Sequence, residues 1–302
     1  MFDFHTVYQP ETVAEALAIL ARDSESIVLS GGSDILIKNR DGILPPCACI
    51  SIRHLRELHE ITRDDDGTIF IGAASTFTEV MDSPVIQNHI PQLAEAVSQV
   101  GAVQIRNIGT VGGNLCNGAP SADSATTFLI LGAKLHLESV RGTRVVSIDD
   151  FYTGPGSTVR ARDELLTVIE VPRTHYEGYA GTYIKYAMRK AMDIATVGLA
   201  AMVKLTPDKD RIEDIKTAYA SVAPTPVRGL QFETRLRGAS IDRNLLCQAA
   251  EETVVHDISA REDWRASKAF SEHIAVEITK RGVAEAIEKA GGEHVYRCEY
   301  DG

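Results

Sequence analysis

Two short glycine-rich segments contain residues that could bind an anion. The first is Ser30-Gly31-Gly32-Ser33-Asp34 and the second is Gly109-Thr110-Val111-Gly112-Gly113-Asn114. Paired glycines let the backbone approach a ligand closely and adopt positive φ, so that successive N–H groups can point at one anion. A helix that begins just after such a turn adds its positive end to the same site. Two converging loops could therefore hold a diphosphate without any Lys or Arg, although each glycine pair could equally be only a tight turn.

Asp123 follows the second segment, and its residue type allows two roles. Its carboxylate could accept a hydrogen bond from a ribose or ribityl hydroxyl. Alternatively, Ser121 or Asp123 could cap a helix over residues 125–131, because Ser and Asp are favoured N-cap residues. Spacing alone favours the cap.

Lys185 and Arg189 lie four residues apart, with Asp193 a further four residues along the chain. Residues four apart in a strand share a face, so both cations are expected to point the same way. They could lie beside an anionic ligand or a reduced cofactor. The other interpretation is a solvated strand face paired with Asp193, and such surface ion pairs contribute little to stability. Spacing alone favours the solvated face.

Composition excludes several classes of function. The chain has 31 Lys+Arg and 42 Asp+Glu in 302 residues, and its net charge of −11 argues against a nucleic-acid partner. It contains no G-x-G-x-x-G, no G-x-x-x-x-G-K-[ST], no G-x-S-x-G and no H-E-x-x-H sequence. The nine histidines do not cluster at metal-ligand spacing. These absences argue against a Rossmann dinucleotide fold, a P-loop, a hydrolase and a metal site.

The cysteines and the apolar runs indicate a cytoplasmic protein without membrane contact. The five cysteines are odd in number and scattered, which is typical of free thiols in a reducing compartment. No apolar run approaches the ~18 residues that a membrane span requires, and the first residues lack the pattern of a signal peptide.

Apolar periodicity predicts an α+β protein. Helices are expected over residues 10–22, 77–81, 91–100 and 263–290, the last burying Trp264, Phe270, Ile274, Ile278 and Val283. Strands are expected over 27–29, 48–52, 68–74, 134–140, 144–148, 165–171, 182–188, 196–205 and 212–222. The last three suggest an antiparallel meander, and strands followed by helices indicate an α+β second domain. Residues 35–37 fit a helix or a strand, and residues 172–181 form the best linker candidate.

Taken together, these motifs resemble one family. The chain resembles the FAD-binding (medium) subunits of the molybdenum hydroxylases. The resemblance is carried by the two glycine segments, by residues 104–108 (Gln-Ile-Arg-Asn-Ile) before the second segment, and by Pro120-Ser121-Ala122-Asp123. Residues 183–193, 222–228 and 264–268 fit the same pattern. The likeness is strongest to the xanthine dehydrogenase branch and covers about residues 1–290.

The resemblance implies a fold and a division of the chain. Residues 1–176 would form a vanillyl-alcohol-oxidase-type (PCMH-type) FAD-binding domain with two subdomains. Residues 177–292 would form the α+β C-terminal domain of CO-dehydrogenase flavoproteins, with a three-stranded antiparallel sheet and helices. Residues 293–302 would be a tail outside the resemblance.

The same resemblance assigns roles to residues at matching positions. FAD would be bound by Val28, Leu29, Ser30, Gly31, Gly32, Ser33, Asp34, Ile105, Thr110, Val111, Gly112, Gly113, Asn114, Asp123, Leu166 and Lys185. Asp123 would bind on the ribityl or ribose side, Leu166 would touch the isoalloxazine, and Lys185 would lie beside the flavin. Arg189 and Asp193 would belong to a loop on the nicotinamide side. Some relatives place an aromatic residue against the flavin near Val100, where this chain has none.

The resemblance also implies a function and partners. A large subunit would carry molybdopterin and oxidise hypoxanthine or xanthine, and a small subunit would carry [2Fe–2S] centres, in a dimer of heterotrimers. Electrons would reach FAD on this chain and leave to NAD⁺, with oxygen as the other possible acceptor. The alternatives are an aldehyde, nicotinate or carbon monoxide as the substrate of the partner, or a nucleotide-binding assembly protein without turnover.

Overall fold

The computed structural model describes residues 3–23, 25–293 and 295–296. Its N-terminal part begins with a parallel sheet of strand order β1-β3-β2. The carboxyl end of β2 leads directly into the first glycine segment. The strands are β1 (Phe4–Tyr8), β2 (Ile27–Leu29) and β3 (Cys47–Ser51), and the helices are α1 (Val13–Arg22) and α2 (Ile35–Arg40). Helix α1 begins where the Thr12 hydroxyl accepts a 3.2 Å bond from the N–H of Glu15. Residues 35–37, which fitted either element, are helical.

A mixed region of helices and antiparallel strands follows. Its sheet has the order β4-β5-β10-β6-β7, and β8 and β9 form a separate hairpin. The strands are β4 (Ile61–Arg63), β5 (Ile69–Gly72), β6 (Lys134–Ser139), β7 (Gly142–Ser147), β8 (Tyr152–Gly154), β9 (Ser157–Thr158) and β10 (Leu165–Val171). The helices are α3 (Phe77–Asp82), α4 (Pro84–His89), α5 (Pro91–Ser98), α6 (Val103–Arg106), α7 (Val111–Cys116) and α8 (Asp123–Ile130). The second glycine segment thus leads into α7.

The C-terminal part contains the predicted meander. Strands β11 (Ala180–Tyr186), β12 (Val197–Leu205) and β13 (Ile212–Ala220) pair antiparallel in chain order, which confirms that prediction, and the short β14 (Val227–Arg228) extends the sheet beyond it. Helices α9 (Leu230–Leu236), α10 (Arg243–Asp257) and α11 (Lys268–Lys289) follow. The fold is α+β, as expected.

Strand β12 is buried on both faces, which explains its nearly continuous apolar sequence. Ala200 and Met202 belong to the core of the mixed region, whereas Leu199 and Val203 belong to the core beneath α9, α10 and α11. The C-terminal sheet therefore packs against the N-terminal part as well as against its own helices. The domain boundary between residues 176 and 177 stays a prediction.

The predicted buried face of the last helix is partly wrong. Helix α11 begins only at Lys268, where Ser267 is the N-cap, so Trp264 lies before the helix and is 79% exposed. Phe270 is also exposed, whereas Ile278 and Val283 are buried as expected. Within the described residues, no helix has both the length and the apolar character that a membrane crossing requires.

Candidate functional site

A cavity of about 510 Å³ lies where the two glycine segments meet. The predicted site residues that line it are Val28, Ser30, Gly31, Gly32, Ser33, Asp34, Ile105, Thr110, Gly112, Gly113, Asn114 and Leu166. Those that do not line it are Leu29, Val111, Asp123, Lys185, Arg189 and Asp193. Val100 also lines the cavity. Near this position some relatives would place an aromatic residue against the flavin, and this chain has none there. The fold thus brings most of the predicted residues to one cavity.

The glycines of the first segment allow the two segments to touch. A Cβ at Gly31 would collide with the carbonyl oxygen of Ile108, just before the second segment. Gly32 has a φ of +74°, a left-handed conformation that favours glycine. Close backbone contact between the segments therefore depends on Gly31, and the turn of the first segment depends on Gly32.

The first segment presents unpaired donors. Among the described residues, the N–H groups of Gly31, Gly32 and Ser33 donate to no protein acceptor. The buried hydroxyl groups of Ser26 and Ser30, two further lining residues, also lack a protein partner. Buried polar groups are normally hydrogen-bonded, so these donors indicate a ligand rich in acceptor oxygens. The residues present therefore fit the diphosphate and hydroxyl groups of a flavin dinucleotide.

The second segment differs from the expectation that its glycines also donate to the ligand. The N–H of Gly112 donates to the carbonyl of Ala73 at 2.9 Å, and that of Gly113 donates to the Thr110 hydroxyl at 3.2 Å. A Cβ at Gly112 would lie 2.5 Å from the Ala73 oxygen, so this glycine serves backbone packing. Asn114 of the same segment also lines the cavity.

Charged residues also line the cavity. Lys38 Nζ lies 2.7 Å from Asp34 Oδ2 and donates to Asn117 Oδ1 at 2.7 Å. Arg162 forms an exposed ion pair with Glu25, and both also line the cavity. Lys38 was not identified from the sequence, although its position four residues after Asp34 on a helix was a usable signal.

Asp123 does not cap helix α8, so the capping interpretation is wrong. The N-cap is Ala122, without a side-chain bond. The Asp123 carboxylate instead accepts from the Tyr183 hydroxyl at 2.5 Å and from Lys185 Nζ at 2.9 Å. Lys185 also donates to the carbonyl of Gln99 at 3.1 Å. Tyr183 and Lys185 reach the same carboxylate because residues two apart on a strand share a face, a signal that could have identified Tyr183.

Burial governs the titration of this cluster. Burial raises the pKa of the Asp123 carboxyl, while Lys185 and the Tyr183 hydroxyl act in the opposite direction. Burial, and then the nearby carboxylate, hold the pKa of Tyr183 well above its ordinary value. The hydroxyl of Tyr183 therefore remains a donor.

The cluster lies directly behind the cavity wall. Gln99 precedes the lining residue Val100, and Ser124 donates to the lining residue Asn114 at 2.7 Å. The charge of Lys185 is thus close to the cavity without lining it.

Arg189 does not share a strand face with Lys185, contrary to the spacing argument. Strand β11 ends at Tyr186, so Arg189 lies in the loop beyond it and is 67% exposed. Its backbone N–H donates to Asp193 Oδ2 at 2.8 Å, so Asp193 pairs with Arg189 and not with Lys185. The N–H of Met192 ties this loop to the carbonyl of Gly101 at 3.0 Å.

No metal site is found in the part of the chain that the structure describes. Cys47, Cys49, Cys116 and Cys247 are free thiols there, and the first two are buried. Cys298 lies outside the described residues.

Comparisons with known proteins match both parts of the chain. Residues 2–174 match the FAD binding domain in molybdopterin dehydrogenase, and residues 182–286 match the CO dehydrogenase flavoprotein C-terminal domain. The xanthine dehydrogenase FAD-binding subunit of Escherichia coli O157:H7 is 40% identical over 293 residues, covering 97% of this chain and 99% of that protein. The nicotinate dehydrogenase FAD-subunit of Eubacterium barkeri is 38% identical over 212 residues, covering 68% of this chain and 70% of that protein.

A solved structure extends the likeness to the whole fold. Carbon monoxide dehydrogenase from Hydrogenophaga pseudoflava, in a form lacking the Mo-pyranopterin moiety, matches with a TM-score of 0.89 at 27% identity. The match covers 96% of this chain and 99% of that one.

Proposed function

This chain belongs to the FAD-binding subunits of the molybdenum hydroxylases, and from that premise we propose that it transfers electrons through FAD to NAD⁺ during purine oxidation. The partners would be a large subunit with molybdopterin and a small subunit with [2Fe–2S] centres, in a dimer of heterotrimers. Bound FAD would accept electrons singly and release them in pairs as hydride.

One observation supports the FAD site most strongly. Gly31, Gly32 and Ser33, whose N–H groups are unpaired, line the same cavity as Ser30, whose hydroxyl is unpaired. These donors would hold the diphosphate, and Asn114 would add polar contact from the second segment. Leu166 and Ile105 would supply the apolar surface for the ring system.

The residues outside the cavity would have supporting roles. Lys185 would act on the flavin site electrostatically from behind the wall at Val100, because a cation in a sheltered site stabilises nearby negative charge. Asp123 would hold Lys185 in place. The loop of Arg189 and Asp193 would border the path of the nicotinamide.

The identity of the purine substrate rests on the similarity to xanthine dehydrogenase subunits, since the substrate would bind on the partner. The nicotinate and carbon monoxide dehydrogenase relatives make those substrates the competing possibilities. Assaying the assembled complex with xanthine, nicotinate and carbon monoxide would decide among them.

The first test is an absorption spectrum of the purified chain, recorded before and after NADH is added without oxygen. We expect flavin bands that bleach with NADH. Flavin bands that do not respond to NADH would contradict NAD⁺ as acceptor. A chain that stays colourless after reconstitution with FAD would overturn the FAD assignment.

A further inference from the structure

We propose that Lys38 determines the preference of the cavity for a ligand with a diphosphate. Its ammonium would contact the diphosphate and would also cancel the charge of Asp34 on the same wall. The inference rests on the proposed function, because it assumes that the cavity takes a dinucleotide. Lys38 was not among the residues assigned to this site from the sequence, because the diphosphate was expected to be held by the two loops without any Lys or Arg.

The placement of Lys38 follows from helix α2. Asp34 and Lys38 are four residues apart, so their side chains project from the same face of the helix. Lys38 Nζ is 2.7 Å from Asp34 Oδ2 and 2.7 Å from Asn117 Oδ1, and all three residues line the cavity. The ammonium thus lies between the first glycine segment and the end of helix α7.

The ammonium can contact a ligand without giving up these bonds. A lysine ammonium has three N–H donors. In the described part of the chain, the contacts with Asp34 and Asn117 account for two of them. The remaining donor is available to an oxygen in the cavity, and a bond between an ammonium and a phosphate is among the stronger hydrogen bonds of proteins.

Asp34 makes this cation necessary. The segment that offers free N–H groups to an anion ends in a carboxylate, and that carboxylate makes no capping bond to α2. It would repel a diphosphate, and the net charge of −11 adds to the repulsion. Among the described residues, Lys38 is the cation paired with this carboxylate, so the net charge at this part of the wall depends on it.

The competing interpretation is that Lys38 only ties helix α2 to helix α7. A tie would affect every ligand of the cavity and would not depend on salt. A charge that contacts the diphosphate would act on ligands with phosphates, and salt would weaken its effect.

The experiment measures dissociation constants of the flavin-free full chain for FAD, ADP and riboflavin at low and high KCl. The variants are Lys38→Met, Lys38→Arg and the double variant Asp34→Asn with Lys38→Met. Lys204→Met is the matched control. Like Lys38, Lys204 forms one ion pair, in its case with Glu213, and its side chain is also 36% exposed. Lys204 lies on strand β12 and does not line the cavity. Circular dichroism checks that each variant is folded.

We expect Lys38→Met to raise the dissociation constants for FAD and ADP by about tenfold or more, equivalent to a loss of at least ~1.4 kcal/mol of binding free energy. Riboflavin should be unaffected, and the salt dependence should decrease. Lys38→Arg and the double variant should recover much of the affinity, and Lys204→Met should match the wild type.

If Lys38→Met weakens the binding of all three ligands equally, or leaves the FAD affinity unchanged, the proposal for Lys38 is overturned. The assignment of the FAD site would still stand. A wild-type chain that binds neither FAD nor ADP would instead overturn the proposed function. If Lys38→Met misfolds, Lys38→Arg and the double variant decide, and a loss of FAD affinity of about tenfold or more in both, relative to the wild type, would reject the charge argument.

Discussion

Lys185 Nζ lies 2.9 Å from Asp123 Oδ2, and this ion pair joins the C-terminal sheet to helix α8 of the N-terminal part. The two side chains are only 8% and 7% exposed. Each charge therefore depends on the other, since a buried ion without a partner is strongly destabilising. The pair is a structural contact between the two parts, and Lys185 also donates to the carbonyl of Gln99, which precedes the lining residue Val100.

Removing one partner of this pair should destabilise the chain. Lys185→Met should lower the free energy of unfolding by about 3–5 kcal/mol, because Asp123 would remain buried with only Tyr183 as a donor. Adding Asp123→Asn should restore part of the loss, since no charge would then be buried. Urea unfolding of the two single variants and the double variant gives the coupling energy. Additive effects would contradict a direct interaction.

Lys185→Ala should retain FAD but slow the reduction of the flavin by NADH. Retention is expected because Lys185 does not line the cavity, and slowing is expected because its charge favours the reduced, more negative flavin. Stopped-flow absorbance under anaerobic conditions measures the rate, at a temperature where the variant is folded. Lys204→Ala is the control, and a rate equal to that of the control would reject a role for the Lys185 charge.

Gly112→Val should abolish FAD binding. The added side chain would meet the Ala73 carbonyl, which accepts the Gly112 N–H, and would displace the second segment from the cavity wall. The ratio of flavin to protein absorbance measures the outcome, with circular dichroism to confirm folding. Gly154→Val is the matched control, because a Cβ at Gly154 meets no atom within 4 Å. Normal flavin content in Gly112→Val would contradict the site.

Acidification should weaken the packing around His175. Burial, followed by the charges of Lys216, Lys134 and Arg228, lowers the pKa of His175 below its ordinary value of 6.5, and Asp149 opposes this only weakly. The unfolded chain then binds a proton more readily than the folded chain, so stability is lost as pH falls below about 6.5.

The variant His175→Gln isolates this effect from the carboxylates that titrate in the same range. Urea unfolding between pH 5 and 7.5 should show a shallower loss of stability in His175→Gln than in the wild type. Parallel curves for the two proteins would show that His175 does not titrate differently on folding.

The local elements could be predicted because they depend on short-range patterns. Apolar periodicity over residues 10–22 predicted α1, and apolar runs predicted β11, β12 and β13. Gly31 and Gly32 marked a turn where the backbone approaches closely. The motif combination also identified the family, which the comparisons confirm.

Only the tertiary structure decided which groups those residues meet. Asp123 was a candidate helix cap by spacing, but its carboxylate accepts hydrogen bonds from Tyr183 and Lys185, about 60 residues away along the chain. The N–H of Gly112 turns to Ala73 rather than to a ligand.

The sequence by itself thus determined the family, the elements and the glycine turns, since these follow from backbone preference and apolar period. Tertiary structure determined the partners of Asp123 and Lys38, because a charged side chain is paired with whatever the fold brings within reach. For Lys38 that includes Asn117, 79 residues away along the chain.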